Sequence, residues 1–165
     1  MHLNQFISQL EKRTDKGDTP YNLRNCAYMD DFNKQKLIWI ELSDIGRFAL
    51  DANDNYLTLN GTFVMIGNDL KYICSVLNNP VTSWHFNTFC ISSGVGTNQW
   101  RELYVRELFI PKIDDKQKNE INHRFDEIVS STNLTIRNEQ MKELDHVIYS
   151  IFGFNEEEIL FIENQ

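Results

Sequence analysis

Short apolar segments between residues 37 and 66, separated by turn-forming residues, constrain the fold most strongly. Leu37-Ile38-Trp39-Ile40 is rich in β-branched and aromatic side chains, which predicts a buried strand. Three later segments predict further strands, namely residues 47–50, 56–59 and 62–66. Asn53-Asp54-Asn55 and Asn60-Gly61 supply turn residues between them, and Asn-Gly favours a tight hairpin. The pattern therefore predicts an antiparallel meander rather than a parallel sheet.

Apolar residues at helical spacing predict helices on both sides of these strands. The positions are Leu3, Phe6, Ile7 and Leu10; Leu70, Ile73, Cys74 and Leu77; Ile121, Phe125, Ile128 and Val129; and Met141, Leu144, Ile148 and Ile151. Asn68 or Asp69 is expected to cap the second of these helices. Pro80 is expected to open a further helix, and Gly153 to end the last pattern.

These elements together predict an α+β fold, with a mainly antiparallel twisted sheet, flanking helices and a helical C-terminal extension. We expect an α+β domain over residues 1–113 and helices over residues 114–165, where Asn155 and Glu158 fit a capping box. The chain has 165 residues, of which 41% are hydrophobic, so it is long and apolar enough to bury a core.

The charge is divided unevenly along the chain. Residues 1–112 carry 11 basic and 12 acidic side chains, a net charge of −1, whereas residues 113–165 carry 5 and 12, a net charge of −7. Attraction to phosphates grows with the number of basic contacts, so the chain alone is expected to hold DNA weakly. A base-reading role remains compatible with this charge if a more basic neighbouring domain supplies affinity for the DNA backbone.

The sequence predicts a cytoplasmic protein with no membrane partner. No apolar run approaches the roughly 20 residues that span a bilayer. The first ten residues lack the basic region and the continuous apolar core of a signal peptide. The three cysteines, Cys26, Cys74 and Cys90, are odd in number and lack close pairing, which is typical of reduced thiols.

A polar loop with two glycines, followed by an amphipathic segment and an apolar run that ends at a proline, occupies residues 91–111. Glycine at positions 94 and 96 permits backbone conformations that other residues avoid, so the loop can approach another surface closely. Ser92, Ser93, Asn98 and Gln99 offer hydrogen-bond donors and acceptors that suit the edge of a base. Many surface loops share this composition, so a purely structural role is the alternative.

This loop, together with three segments before it, resembles the TaqI-like C-terminal specificity domain that follows adenine-specific DNA methyltransferases. The three segments are Glu11-Lys12-Arg13-Thr14-Asp15-Lys16-Gly17-Asp18-Thr19, Tyr21-Asn22-Leu23-Arg24 and Lys36-Leu37-Ile38-Trp39-Ile40-Glu41-Leu42-Ser43-Asp44. The resemblance runs in order from about residue 11 to about residue 113, and a looser match continues to the end. Many relatives are expected to carry arginine before the loop tryptophan, where this chain has Gln99.

The resemblance implies the target-recognition domain of a bacterial restriction–modification enzyme or of an adenine-specific DNA methyltransferase. Such a domain binds double-stranded DNA and selects the site. S-adenosylmethionine and the chemistry belong to a methyltransferase domain outside this chain, to which the opening helix, about residues 1–13, would be the linker. No cofactor is expected in the chain itself. A different class stays open, namely a non-catalytic protein-interaction module that docks through the acidic C-terminal helices.

Cationic residues complete the predicted DNA-binding surface. Lys12, Arg13, Lys16 and Arg24 form the densest positive cluster, in a loop that also contains two aspartates. This cluster either clamps phosphates and contacts a guanine, or is a solvated, self-compensating loop. Arg47, which follows Gly46, and Arg101, which follows the glycine loop, are two further candidates for DNA contact. The alternative is that they pair with Asp44 or Glu102.

The sequence predicts no catalytic site and no metal site. Adenine methylation needs a Pro-Pro loop that grips the flipped base, and the prolines at 20, 80 and 111 are never adjacent. A nuclease centre built from Asp54 with Asp69-Leu70-Lys71, or from Asp115-Lys116, is the weaker alternative, because Asp69 is better explained as a helix start. The four histidines lack partners at ligand spacing.

The aromatic residues and the tail each leave two interpretations. Trp39 and Trp84 are expected in the core, and Trp100 either anchors the glycine loop in the core or stacks on a base. His85 is expected to be a packed ring. The C-terminal helices either cap the domain or contact the methyltransferase or a second subunit.

Overall fold

The computed structural model describes residues 2–24, 26–53 and 56–165, and it divides the chain into two units, residues 1–33 and 34–165. Asp54 and Asn55, which belong to the predicted turn and to the nuclease hypothesis, lie outside the described residues. The protein is an α+β protein, as predicted. The cysteines at positions 26, 74 and 90 are all free thiols.

The first unit contains short helical turns and a loop. A 3₁₀ turn, His2–Phe6, runs into a single α-helical turn, α1 (Ile7–Leu10), so the predicted opening helix is present but begins as a 3₁₀ turn. The predicted loop after it is closed by an antiparallel bridge between Lys16 and Leu23. A second 3₁₀ turn occupies Met29–Asn33.

An antiparallel three-stranded sheet forms the centre of the second unit. The central strand is β1 (Lys36–Ile40); two short segments, β2 (Leu42–Ser43) and β3 (Phe48–Asp51), follow it, and β4 is Thr62–Ile66. The strand order is β3-β1-β4, with both outer strands antiparallel to β1. The predicted antiparallel pairing is confirmed, but the meander is wrong, because the chain crosses from one side of β1 to the other between β3 and β4.

Residues 56–59, predicted as a strand, form no strand. The backbone N–H of Tyr56 donates to the Asp51 carboxylate at 3.0 Å, which turns the chain back onto the end of β3. The Asn60-Gly61 turn is present, since the Thr62 N–H donates to the Leu59 carbonyl at 3.3 Å. Only Gly61 has a positive φ, 85°, so the turn is not the type I′ turn of a two-residue hairpin. The turn instead leads directly into β4, which pairs with β1.

One face of the sheet packs on two consecutive helices. Alternating residues of the strands, Leu37, Trp39 and Phe48 among them, are buried against α2 (Leu70–Asn78) and α3 (Pro80–Asn87). Pro80 occupies the first turn of α3, as predicted. Asp69 stands at the N-cap position of α2, but its side chain makes no capping hydrogen bond.

The remaining elements are one short strand and the helices that follow it. They are the strand segment β5 (Asn98–Gln99) and the helices α4 (Glu102–Val105), α5 (Asp115–Ser130), α6 (Leu134–Phe152) and α7 (Glu156–Glu163). Helix α5 packs on α2 and α6, and α7 packs on α3. The two predicted ends are confirmed: Gly153 ends α6 with φ 81°, and Asn155 with Glu158 forms the capping box of α7. Within the described ranges, every helix is too short or too polar to cross a membrane.

Candidate nucleic-acid interface

The glycine loop forms a β-hairpin that pairs with β2. The Ser93 N–H donates to the Thr97 carbonyl at 2.8 Å, and the Gln99 N–H donates to the Ile91 carbonyl at 3.0 Å. Gly94 and Gly96 occupy the tip in the left-handed region, with φ of 82° and 79°. Val95 between them is 83% exposed. The glycines therefore close the hairpin and leave its tip in solvent.

Trp100 fixes the base of the hairpin in the core. Its side chain is 1% exposed and stacks on Phe86 with ring centroids 3.7 Å apart. Its backbone N–H donates to the Glu41 carbonyl at 2.7 Å. Gly46 lies against the same ring, and a Cβ at that position would come within 3.1 Å of it. Core anchoring, one of the two interpretations of Trp100, is confirmed, and base stacking by this ring is excluded by its burial.

The pairing of β5 with β2 sends neighbouring side chains to opposite faces. Ser43 is paired with Asn98 and is buried, whereas Leu42 is paired with Gln99 and is exposed. The Asn98 side-chain amide donates to the Asn87 side chain at 2.5 Å, at the end of α3. Gln99 lies on the face that looks away from the core, and its side-chain amide has no hydrogen bond within the described part of the chain. Asn98 holds the hairpin in place, and Gln99 is free to contact a ligand.

The two serines of the hairpin bond within it. The Ser93 hydroxyl lies 2.5 Å from the Thr97 hydroxyl and donates to the Thr97 carbonyl at 3.0 Å. The Ser92 hydroxyl accepts a hydrogen bond from the Gly94 N–H at 3.2 Å. Ser92 is exposed and Ser93 is half-buried. Of the two, Ser92 retains the more accessible hydroxyl.

Arg47 lies beside β2 and pairs with Asp44, one of the two alternatives considered for it. Its Nη2 contacts both carboxylate oxygens of Asp44, at 2.9 and 3.2 Å, and its Nε donates to the Ser43 hydroxyl at 3.2 Å. The guanidinium lowers the pKa of the Asp44 carboxyl, through a hydrogen bond first of all. Through Ser43, which pairs with Asn98, Arg47 lies beside the strand on which the hairpin is fixed.

Arg101 forms an ion pair with Glu41 rather than with Glu102. Its Nε contacts the Glu41 carboxylate at 2.7 Å, across the β2–β5 pairing. Glu102 instead pairs with Arg106, four residues further along the chain. The i,i+4 spacing of Glu102 and Arg106 was the sequence signal for that pairing. Both Arg47 and Arg101 remain at least half-exposed at the side chain, so each guanidinium reaches solvent.

The cationic residues of the first unit lie around its bridged loop. The Arg13 Nε contacts the Asp15 carboxylate at 3.1 Å, and the Lys16 ammonium donates to the Glu11 carbonyl at 2.7 Å. The pKa of Asp15 is lowered, first by the hydrogen bond from Arg13 and least by the charge of Arg24. The self-compensating arrangement considered from the sequence is therefore present for Arg13.

Two residues of the nuclease hypothesis, Asp69 and Lys71, form ion pairs with helix α5. The Asp69 carboxylate accepts from the Lys118 ammonium at 3.0 Å, and the Lys71 ammonium contacts Asp126 at 2.5 Å. Both ion pairs connect α2 and its N-terminus to α5. The two ion pairs therefore stabilise the packing of α2 on α5.

Sequence reasoning missed the partners that position the hairpin. Glu41, Leu42 and Ser43 supply the short strand and the ion pair, yet they follow a predicted strand and carried no signal of their pairing with residues 98–101. Asn87 was likewise not singled out. Only the buried Trp100, a large aromatic residue that directly follows a polar loop, marked the hairpin as anchored.

The chain was compared with known proteins. A search against models of protein families gave no match, and a search of curated proteins gave no significant match.

Proposed function

We propose that this chain is the target-recognition domain of a bacterial restriction–modification enzyme or of an adenine-specific DNA methyltransferase. It contacts double-stranded DNA through the hairpin of residues 91–100 and selects the site. The partner is a methyltransferase domain that binds S-adenosylmethionine, flips the adenine and methylates it in the cytoplasm. The chain itself supplies recognition and no chemistry.

The observation that carries the proposal is the face of the hairpin that carries Gln99. A side-chain amide offers a donor and an acceptor together, which is the pattern that matches adenine in the major groove. The hairpin is narrow, its tip has no side chain larger than Val95, and its base is fixed by Trp100. A rigid base with a half-buried Gln99 on the face away from the core is suited to holding an amide against the edge of a nucleotide base.

The two arginines beside the hairpin support contacts to phosphates. Arg47 and Arg101 each carry a guanidinium that is at least half-exposed and held by one carboxylate. A phosphate can share such a guanidinium, which has five donors, or replace the carboxylate. Contacts of this kind set the position of a protein on the duplex but do not read sequence.

The charge distribution limits the affinity of the chain alone. With a net charge of −8, the isolated chain is expected to bind duplex DNA with a Kd of roughly 10⁻⁴–10⁻⁶ M, and to lose binding as salt rises. Specific recognition is therefore to be measured in complex with the methyltransferase.

The experiment compares hairpin variants in that complex, by selection from a library of random duplexes. Gln99→Ala is expected to flatten the preference at one position by about 1–3 kcal/mol, roughly one to two factors of ten. The double variant Asn98→Ala/Gln99→Ala is expected to reduce the sequence preference further, because the Asn98 side chain holds the strand in place through its hydrogen bond to Asn87. Lys16→Ala, the matched control outside the hairpin, weakens all sequences alike. An unchanged target preference in the double variant would show that the hairpin does not read bases.

A further inference from the structure

An apolar pocket lies between helix α3 and the junction of α6 with α7. Val81 and Trp84 of α3 form one wall, Phe152 and Phe154 on either side of Gly153 form the second, and Leu108 and Phe109 form the third. The pocket lies within the second unit, and none of the predicted DNA-binding residues lines it.

The size of the pocket limits what it can hold. Its volume is about 120 Å³, whereas pockets for drug-sized ligands and cofactors are typically about 300–1,000 Å³. An apolar cavity of about 150 Å³ is large enough for benzene. The pocket therefore fits one branched aliphatic or aromatic side chain, and is too small for a nucleotide or a cofactor.

The apolar surface continues from the pocket onto α7. Phe109 at the rim is 69% exposed. Phe161 of α7 contacts the edge of Trp84, and it and its neighbour Leu160 are both more than half-exposed. Aromatic side chains around a pocket are the usual composition at the centre of a protein–protein interface. Exposed apolar residues gathered in this way mark an interaction site.

The border of this surface is acidic. Glu156 and Glu157 follow the pocket residue Phe154 by two and three positions, and Glu107 precedes Leu108. All three are exposed, and none has an ion-pair partner among residues 2–24, 26–53 and 56–165. A second copy of the chain would bring its own acidic tail, with a net charge of −7 over residues 113–165, against this border. The border therefore selects a cationic partner.

We propose that this pocket and the exposed face of α7 bind a basic amphipathic helix of another protein. One aliphatic or aromatic side chain of that helix enters the pocket between Trp84 and Phe109. Lysine or arginine side chains on either side of it pair with Glu156 and Glu157. Helices of this kind present their anchors on one face at i, i+3, i+4 and i+7, which suits a small apolar pocket with further exposed apolar residues beside it. The proposal is independent of DNA recognition by the hairpin.

The test uses a labelled synthetic Leu/Lys amphipathic peptide of roughly 18 residues, about five helical turns. Fluorescence anisotropy measures its binding to the full chain. Two comparison peptides replace leucine by alanine, or lysine by glutamate. The Leu/Lys peptide is expected to bind saturably. Each comparison peptide is expected to bind at least roughly tenfold more weakly, the alanine peptide because it loses the buried anchor and the glutamate peptide because it brings like charges to the acidic border.

Variants of the chain then locate the site. Phe109→Ser and the double variant Glu156→Gln/Glu157→Gln are each expected to weaken the Leu/Lys peptide by roughly tenfold. Val95→Ser, at the exposed tip of the hairpin, is the matched control and leaves binding unchanged. If Phe109→Ser lowers the melting temperature, its effect on binding is not used. The test then depends on whether the charge variant, which changes only exposed side chains, weakens binding of the Leu/Lys peptide.

Three results would overturn the proposal. One is equal binding of all three peptides, which shows non-specific adsorption. Another is tight binding that neither variant changes, which places the peptide elsewhere. The third is a dimer in light scattering that Phe109→Ser abolishes, since it shows that a second copy of the chain occupies the surface.

Discussion

The indole N–H of Trp39 donates a hydrogen bond to the backbone carbonyl of Trp100, with 2.7 Å between nitrogen and oxygen. Trp39 lies in the central strand, and Trp100 ends the hairpin of residues 91–100. The Trp100 indole in turn donates to the Ser43 carbonyl at 3.2 Å. These two bonds join the sheet, the short strand β2 and the hairpin through buried groups, so the hairpin moves with the core.

Replacing Trp100 by alanine tests this anchoring. We expect the free energy of unfolding to fall by about 3–5 kcal/mol, because the variant leaves a cavity beside Phe86 and removes the indole donor to the Ser43 carbonyl. Urea denaturation followed by circular dichroism measures the change. Val95→Ala at the tip of the same hairpin is the control and should stay within about 0.5 kcal/mol of the parent. A loss below about 1 kcal/mol in the Trp100 variant would contradict the anchoring role.

The buried ion pair of Lys36 and Asp51 gives a second prediction. The Lys36 ammonium lies 2.6 Å from the Asp51 carboxylate, and the two side chains are 0% and 3% exposed. Lys36→Met leaves the buried Asp51 carboxylate without this ammonium group, so the substitution should destabilise the protein by about 3–5 kcal/mol. Lys116→Met, an exposed lysine on α5, is the control in the same denaturation series. An equal effect of the two substitutions would contradict the prediction.

Asp145 predicts a dependence of stability on pH. The pKa of its carboxyl is raised to about 6, first of all by burial; the hydrogen bond from Asn79 lowers it, and the nearby charge of Glu163 raises it. A raised folded-state pKa stabilises the fold at low pH, and this stabilisation is lost as pH rises from about 4 through about 6. Asp145→Asn should therefore be more stable than the parent at pH 8, by up to about 3 kcal/mol.

Urea denaturation at several pH values measures this difference between the Asp145 variant and the parent. It should shrink between pH 6 and pH 4, because the parent carboxyl is then protonated and resembles the amide. Glu139→Gln, on the exposed side of the same helix, is the control. A difference that is constant over the whole range would mean that the amide stabilises by packing and not by removing a charge.

Replacing Asp44 tests whether its carboxylate competes with DNA for the Arg47 guanidinium. Asp44→Asn removes the carboxylate that holds the guanidinium, so under the proposed function the carboxylate no longer competes with a phosphate for Arg47. The slope of log K against log salt should then steepen by up to about 0.9, the value for one full phosphate contact. The increase in affinity should be the same for all sequences.

Asp126→Asn, which changes the net charge equally but lies on α5, is the control for the Asp44 variant. Anisotropy titrations at several salt concentrations, with the methyltransferase bound, give both slopes. Equal slopes for the two variants would assign the effect to net charge alone.

Local sequence signals predicted the elements that local forces determine. The Asn155/Glu158 capping box, the Gly153 helix end and the start of α3 at Pro80 each depend on a few adjacent residues. Strand β1 was recognisable because all four of its predicted residues are apolar and β-prone. The strand prediction for residues 56–59 was wrong because their alternating pattern resembles that of a strand. The Asp51 carboxylate, which accepts a hydrogen bond from the Tyr56 N–H, lies outside that pattern.

Pairings between distant residues were not predictable. The order β3-β1-β4 depends on which edge of β1 each strand meets, and strand composition does not encode that. The ion pair of Arg101 with Glu41 joins residues 60 positions apart, whereas the sequence suggested the adjacent Glu102. The apolar pocket also escaped prediction, because its walls come from three separate segments that meet only in the folded chain.

The open tip of the hairpin has a consequence for how recognition can diverge. Nothing lies within 4 Å of a Cβ placed on Gly94 or Gly96, and Val95 between them is largely in solvent. The residues that hold the hairpin, Trp100 and Asn98, lie several positions away from this tip. Insertions at the tip and exchanges of Val95 therefore meet no steric barrier from the core, whereas any other residue at position 94 or 96 would be strained by the positive φ. Under the proposed function, related chains that select other DNA sites are expected to differ here in the length of the tip and in the residue at position 95.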